Sequence, residues 1–231
     1  MNKNKILLVA DSSILNPKIT KPISKLSVSY TIYLHSLLYL NWMEILSEFN
    51  KECDVACLLS SYDKDFISKD FFQTDSNFFF LYHQNKKNLI EEVQKNLITN
   101  NSKILIIFHN SIGIKKSYIE RIFNLVHPEE ASIVIARSNR QKIILGCYNS
   151  GNEMVNPLLK SKRDYTKYLN LSGNQDIFIH TLNGFLSIDD FEDIKNLYIE
   201  LSKKESISYC SSKMHENFND LFVEYKELLN A

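Results

Sequence analysis

The chain has 231 residues, 44% hydrophobic and 12% aromatic, enough to bury a sizeable core in one domain. Lysine plus arginine balance aspartate plus glutamate at 27 each, so no net field draws the protein to nucleic acid or an anionic membrane. The first apolar run, residues 6–10, is too short for a signal peptide or a membrane span, and a cytoplasmic location is expected. Cys53, Cys57, Cys147 and Cys210 form neither a disulfide framework nor a zinc spacing, and read as buried, inert thiols. No G-x-G-x-x-G or P-loop pattern occurs.

In chain order, the patterning predicts a buried strand at 6–10, a helix at 29–49, strands at 54–60 and 78–82, and a helix at 88–97. A strand at 103–108, apolar after Lys103, follows, then a helix at 118–126 and a strand at 131–137. This βαβ rhythm requires a mostly parallel sheet with right-handed crossovers. The short connection 138–141 to a strand at 142–147 then makes the sheet mixed. A strand at 176–182 leads to a helix ending near 202, capped by Ser187 or Asp189, with Glu192 completing a capping box on Asp189. Met214, Phe218, Leu221, Tyr225 and Leu228 form one stripe of a final helix at 212–229, which docks on the same domain or serves association. The expected architecture is a single-domain α/β three-layer sandwich, with helices on both faces of the sheet. It comprises a domain at 1–205 and the tail helix within 206–231.

Open parallel sheets bind ligands beyond the carboxyl ends of their strands, which directs attention to three turns. The first carries Asp11, Ser12 and Ser13, then Lys18, Thr20 and Lys21, two ammonium groups suited to a diphosphate. The second is His109-Asn110-Ser111-Ile112-Gly113. An acid there would hold a divalent metal, whereas Asn110 offers a neutral carbonyl. The third, Ser138-Asn139-Arg140-Gln141, offers amides and a guanidinium able to clamp a phosphate. A literal D-x-D at Asp63-Lys64-Asp65 reads as a solvated loop.

Taken together, these segments resemble a bacterial family of the nucleotide-diphospho-sugar transferase (GT-A-like) superfamily, the selenodomain-associated transferases of the first type. Its opening F-A-K-x-P-x-P-G-x-V-K-T-R-L corresponds to Val9-Ala10-Asp11 through Thr20-Lys21, with Asn16 at the glycine and Ile19 at the lysine. Its metal signature G-T-D-S-P-D-L-P falls on the segment from His109, with Asn110 at the aspartate and only Ser111 retained. E-D-G-G-Y-Y-L-I-G falls on 138–146, keeping Gly146 and replacing both acids, with Asn139 at the second. Asp189, Glu192 and Asp193 match the terminal D-V-D-T-P-E-D-L.

The resemblance covers about residues 5–200 and implies a glycosyltransferase-like protein with degenerate metal motifs, which binds a nucleotide or nucleotide-sugar without catalysis. Asp11, Lys18, Thr20, Lys21, Asn110, Ser111, Asn139 and Arg140 are the expected nucleotide- and phosphate-binding residues. No catalytic residue and no cofactor is assigned, since manganese or magnesium would lack both its carboxylates.

Two other readings compete. Residues 109–113 differ from the G-x-S-x-G nucleophile elbow only at the first position, which suggests a serine hydrolase using Ser111, with Asp176 or Asp189 and His180 or His215. Alternatively, the fold is a non-catalytic interaction module that oligomerises through its tail helix.

Overall fold

A computed structural model describes residues 4–49, 51–67, 78–97, 102–127, 132–148, 151–173 and 177–229. Its first half runs β1 (Asn4–Val9), α1 (Val28–Ser47), β2 (Cys53–Ser60), β3 (Phe78–His83), α2 (Lys86–Leu97), β4 (Lys103–Phe108), β5 (Ser111–Ile112) and α3 (Lys116–Leu125). The second half runs β6 (Ser132–Ser138), β7 (Ile143–Tyr148), α4 (Gly151–Lys160), α5 (Tyr165–Ser172), β8 (Phe178–Ser187), α6 (Phe191–Leu201), α7 (Ser212–Glu224) and α8 (Lys226–Leu229).

The strands form one sheet in the order β3-β2-β1-β4-β7-β6-β8-β5. The pairs β1–β2, β1–β4, β2–β3 and β6–β8 are parallel, while β7 runs antiparallel to both β4 and β6. Strand alternation divides the buried side chains between two layers of helices. Ile6, Leu8, Val55, Leu105, Ile107 and Val134 face α1, α3, α6 and α7. Leu7, Val9, Leu58, Ile106, Phe108 and Ile135 face α2, α4 and α5. The three-layer α/β sandwich expected from the patterning is the fold observed.

Several elements differ from expectation for local reasons. The turn after β4 does not lead directly into a helix: Ser111 and Ile112 pair antiparallel with Ser187 and Leu186, so the turn is tied into the sheet. Helices α4 and α5 were not anticipated, because α4 carries Pro157 and α5 is only eight residues long. The capping box of α6 lies one residue later than expected, on Asp190 and Asp193. The tail helix breaks at Tyr225. Met214, Phe218 and Leu221 of α7 are buried in the core shared with α1, while Leu228 is 39% exposed. Tyr33 Oη donates to the Asn217 carbonyl at 3.2 Å, and the Ser27 N–H donates to Tyr225 Oη at 3.2 Å, fixing α7 against α1. The predicted strand starts at 131 and 176 lie outside the described residues.

Gly146 on β7 shows why α3 can approach the sheet. A Cβ built there would lie 2.4 Å from Ile122 Cγ2 and 3.5 Å from Val126 Cγ2. Gly146→Ala is therefore expected to cost about 1–3 kcal/mol by overpacking, read from denaturant unfolding. Removing the opposing Cγ2 in Gly146→Ala/Ile122→Ala should make the double variant less destabilised than the sum of the two single changes. An unchanged unfolding midpoint in the single variant would contradict this account of the contact.

Candidate functional site

The strand order reverses between β1 and β4: the chain leaves β1 outward through β2 and β3, then returns to β4 on β1's other side. A crevice must open there beyond the carboxyl ends. A cavity of about 300 Å³ lies at this point, with Asp11, Ser12, Lys162 and Arg163 as its polar lining and Leu89, Phe108 and Leu159 as its apolar wall.

The loop after β1 is shaped from beneath by Asp63. Its fully buried carboxylate accepts hydrogen bonds from Ser13 Oγ (2.6 Å) and the backbone N–H groups of Ile14 (3.0 Å), Leu15 (2.9 Å) and Asn16 (3.0 Å). These amides have left the sheet and need an acceptor, and one carboxylate can serve several donors at once. The D-x-D segment is thus not the wholly solvated loop expected: Asp63 is a buried anchor, while Lys64 and Asp65 are exposed. Thr20 is buried, with Oγ1 3.4 Å from the Ser13 carbonyl, while Lys18 and Lys21 project into solvent and do not line the crevice.

On the other side, Asn110 is buried and uses both ends of its amide. Its Oδ1 accepts from Arg163 Nη1 at 2.8 Å; its Nδ2 donates to Asp189 Oδ1 at 2.9 Å and lies 3.3 Å from the Ile188 carbonyl. Arg163 Nη2 is 3.6 Å from Asp189 Oδ1, and the guanidinium stacks 4.4 Å from the Phe108 ring centroid. Arg163 is only 6% exposed, and its Nε has no hydrogen-bond partner among the described residues. The turn that carries it is held to the sheet, since the Ile143 N–H donates to the Arg163 carbonyl at 2.9 Å. Lys162 and Arg163 both adopt left-handed backbone conformations, φ 52° and 65°, which L side chains adopt only under constraint.

This arrangement does not suit a divalent cation. The amide at 110 carries no charge, Asp189 also accepts from Ser187 Oγ at 2.8 Å, and a guanidinium already stands beside both groups. Among the described residues, no group of three or more His, Cys, Asp or Glu side chains is placed to hold a metal.

The remaining expected residues are distributed differently. Asn139 follows β6, two strands from β4, its Oδ1 3.5 Å from the Ser187 N–H, and lines a second cavity instead of the crevice. Arg140 is engaged by the start of α6: Nε donates to Asp193 at 2.7 Å and Nη2 to both oxygens of Asp190 at 2.8–2.9 Å. Ser111 is buried, and its hydroxyl donates to the Phe108 carbonyl. It belongs to β5 and not to a strand-to-helix elbow, so it is not presented as a nucleophile. Of its supposed partners, His215 is 3.0 Å from Ser206 Oγ, and Asp176 lies outside the described residues. Sequence reading missed Lys162 and Arg163; the adjacent cations between two unrecognised helices were the only signal.

Behind the crevice, His109 Nε2 lies 3.1 Å from His35 Nδ1. Burial pushes His35 down to about 4, although the carboxylates of Asp11, Asp63 and Asp189 pull it upward. Burial also holds His109 well below its usual range, reinforced by His35 and Arg163. The unfolded chain takes up protons near pH 6.5, before either folded imidazole does. Stability is therefore fully present at neutral pH and falls as pH drops from about 6.5 towards 4. The melting temperature should decline across that window, more shallowly in His35→Gln; a wild-type profile flat between pH 7 and 4.5 would contradict this.

No protein-family model and no curated protein sequence matches the chain. Solved structures do. The fold is similar to a protein designated a nucleotide-diphospho-sugar transferase from Desulfovibrio desulfuricans, with a TM-score of 0.67 and 13% identity over 100% of this chain and 98% of that one. It is also similar to 4-diphosphocytidyl-2C-methyl-D-erythritol synthase from Anaerococcus prevotii, with a TM-score of 0.57 and 14% identity over 86% and 96%. A third is a mannose-1-phosphate geranyltransferase from Thermus thermophilus, with a TM-score of 0.53 and 9% identity over 88% and 80%. At such identities the likeness is one of fold: the chain has the nucleotide-diphospho-sugar transferase-like α/β fold.

Proposed function

We propose that this protein binds the diphosphate of a nucleotide or nucleotide-sugar in the crevice between β1 and β4, with Arg163 supplying the positive charge and no divalent metal required. The observation that carries the reading is the Arg163 guanidinium, held 2.8 Å from Asn110 Oδ1 on the lip of a cavity at the switch point. A neutral amide at 110 fixes the guanidinium without cancelling its charge. Asp189, at 3.6 Å, only partly offsets that charge, and Lys162 adds a second cation. A guanidinium presents directed donors to phosphate oxygens, and burial strengthens each such contact. Asp11 and Ser12 offer an acceptor and a hydroxyl to ribose or base, and Leu89, Phe108 and Leu159 offer the base an apolar wall. Transfer chemistry that depends on a metal is not part of this function: the protein is read as a transferase-like domain that binds without catalysing.

The test is calorimetry with a panel of nucleoside diphosphates and their sugars. At least one should bind, and Arg163→Met should weaken it tenfold or more, about 1.4 kcal/mol. Because removing a buried cation also threatens folding, Lys162→Gly serves as the second variant. It relieves a left-handed residue, should leave the melting temperature unchanged or higher, and should weaken binding about threefold. Binding of no member of the panel, or affinities indifferent to both substitutions, would overturn the proposal.

A further inference from the structure

The longest described strand is β8, ten residues, and β5 covers its outer side only at Leu186 and Ser187. From Phe178 to Asn183 that side has no strand partner among the described residues, and Tyr118 Oη, which donates to the Asn183 carbonyl at 3.2 Å, reaches only the end of the run. The helical layers stop short of it too. Phe178 is 63% exposed and Ile179 39%, on opposite faces of the strand, and Thr181 and Asn183 are exposed as well. The other edge of the sheet differs: Phe78, Phe80 and Tyr82 of β3 pack on one helical layer and Leu81 on the other.

Sheet edges that stay single are blunted by lysine, by proline, by a bulge or by a covering element. Residues 177–188 contain no Lys, Arg, Asp, Glu or Pro, and the register slip between β6 and β8, where Arg137 pairs with Asn183 but Ser138 with Phe185, falls after the exposed run. Such an edge is a template for another strand, and two features select a second copy of this chain. The formal net charge is zero, so copies approach without mutual repulsion. The run is also complementary to itself. With two copies antiparallel about a two-fold axis at His180, Phe178 faces Leu182, Ile179 faces Thr181, and no like charges are opposed. Leu182 already packs against the core layer that includes Val134 and Phe185, so a second Phe178 laid against it extends that layer across the axis. We propose that two copies of this chain associate through β8, antiparallel about His180, into one continuous sheet.

The seam leaves the crevice open, because β6 and β7 stand between β8 and β4. It also replaces the association surface expected from the sequence, since the stripe of α7 is buried in the core shared with α1. One strand pair with few flanking side chains falls at the small end of specific interfaces, below about 1,200 Å², so the dissociation constant belongs in the micromolar range. The inference does not rest on the nucleotide reading, and the two fail separately.

The test is sedimentation equilibrium on the full chain across the micromolar range, where a monomer–dimer equilibrium should appear. Ile179→Lys/Thr181→Lys sets like charges against each other across the axis and should weaken the dimer about tenfold or more. Ile179→Lys/Thr181→Glu instead sets two lysine–glutamate pairs across it and should restore association. Both positions are exposed, so the fold should survive either pair of changes. A second measurement needs no charge. Directly opposed residues of antiparallel strands stand about 4.5–5.5 Å apart at Cα, within disulfide reach, and the native cysteines are all buried. His180→Cys should therefore give a covalent dimer in oxidised glutathione. A monomer at every concentration, an open-ended polymer, a dimer indifferent to the two lysines, no recovery with the lysine–glutamate pairs, or no cross-link through position 180 would overturn the proposal.

Discussion

The Arg163 guanidinium, buried between Asn110, Asp189 and the face of Phe108, is the interaction on which the functional account depends. A buried cation is costly unless its donors are satisfied and an opposite charge is near. Here one donor is met by an amide, one carboxylate stands at 3.6 Å, and Nε is left without a partner among the described residues. Such partial satisfaction is poor design for stability alone. It becomes intelligible if an anion completes the coordination, and the cavity beside it is where an anion would enter.

The rest of the edge is built to hold that residue in place. Asp63 gathers the loop after β1, Trp42 Nε1 donates to the Ser111 carbonyl at 2.7 Å, and β5 pairs with β8, bringing Asp189 beside Asn110. Asp190, Asp193 and Arg140 then lock the start of α6 behind it. Many polar residues near the switch point are thus committed to shaping the backbone. Arg163, Lys162, Asp11 and Ser12 are the polar groups that remain on the crevice wall.

The fold was legible because its strands are written as apolar runs: residues 6–10 and 104–108 read as buried on both faces. Helices α4 and α5 were not, since Pro157 and a run of polar residues hide their periodicity, and the cation between them was missed with them. Asn110 was legible as a turn residue beside the switch point, because its position after β4 follows from topology alone. What its amide does there was not legible, since Arg163 reaches it from 53 residues away. Arg140 illustrates the converse: proximity in sequence to a strand end made it a phosphate candidate, while the fold gave its donors to two aspartates on α6.

The exchange of a metal-binding acid for an amide need not empty a site of charge; it can transfer the cationic role to a side chain. The central claim is therefore independence from metal, and the direct measurement is a calorimetric titration of the tightest-binding nucleoside diphosphate in EDTA and again in excess manganese. The account predicts dissociation constants equal within about twofold, a difference of ~0.4 kcal/mol. Binding seen only with manganese, or strengthened by it tenfold or more, would contradict it.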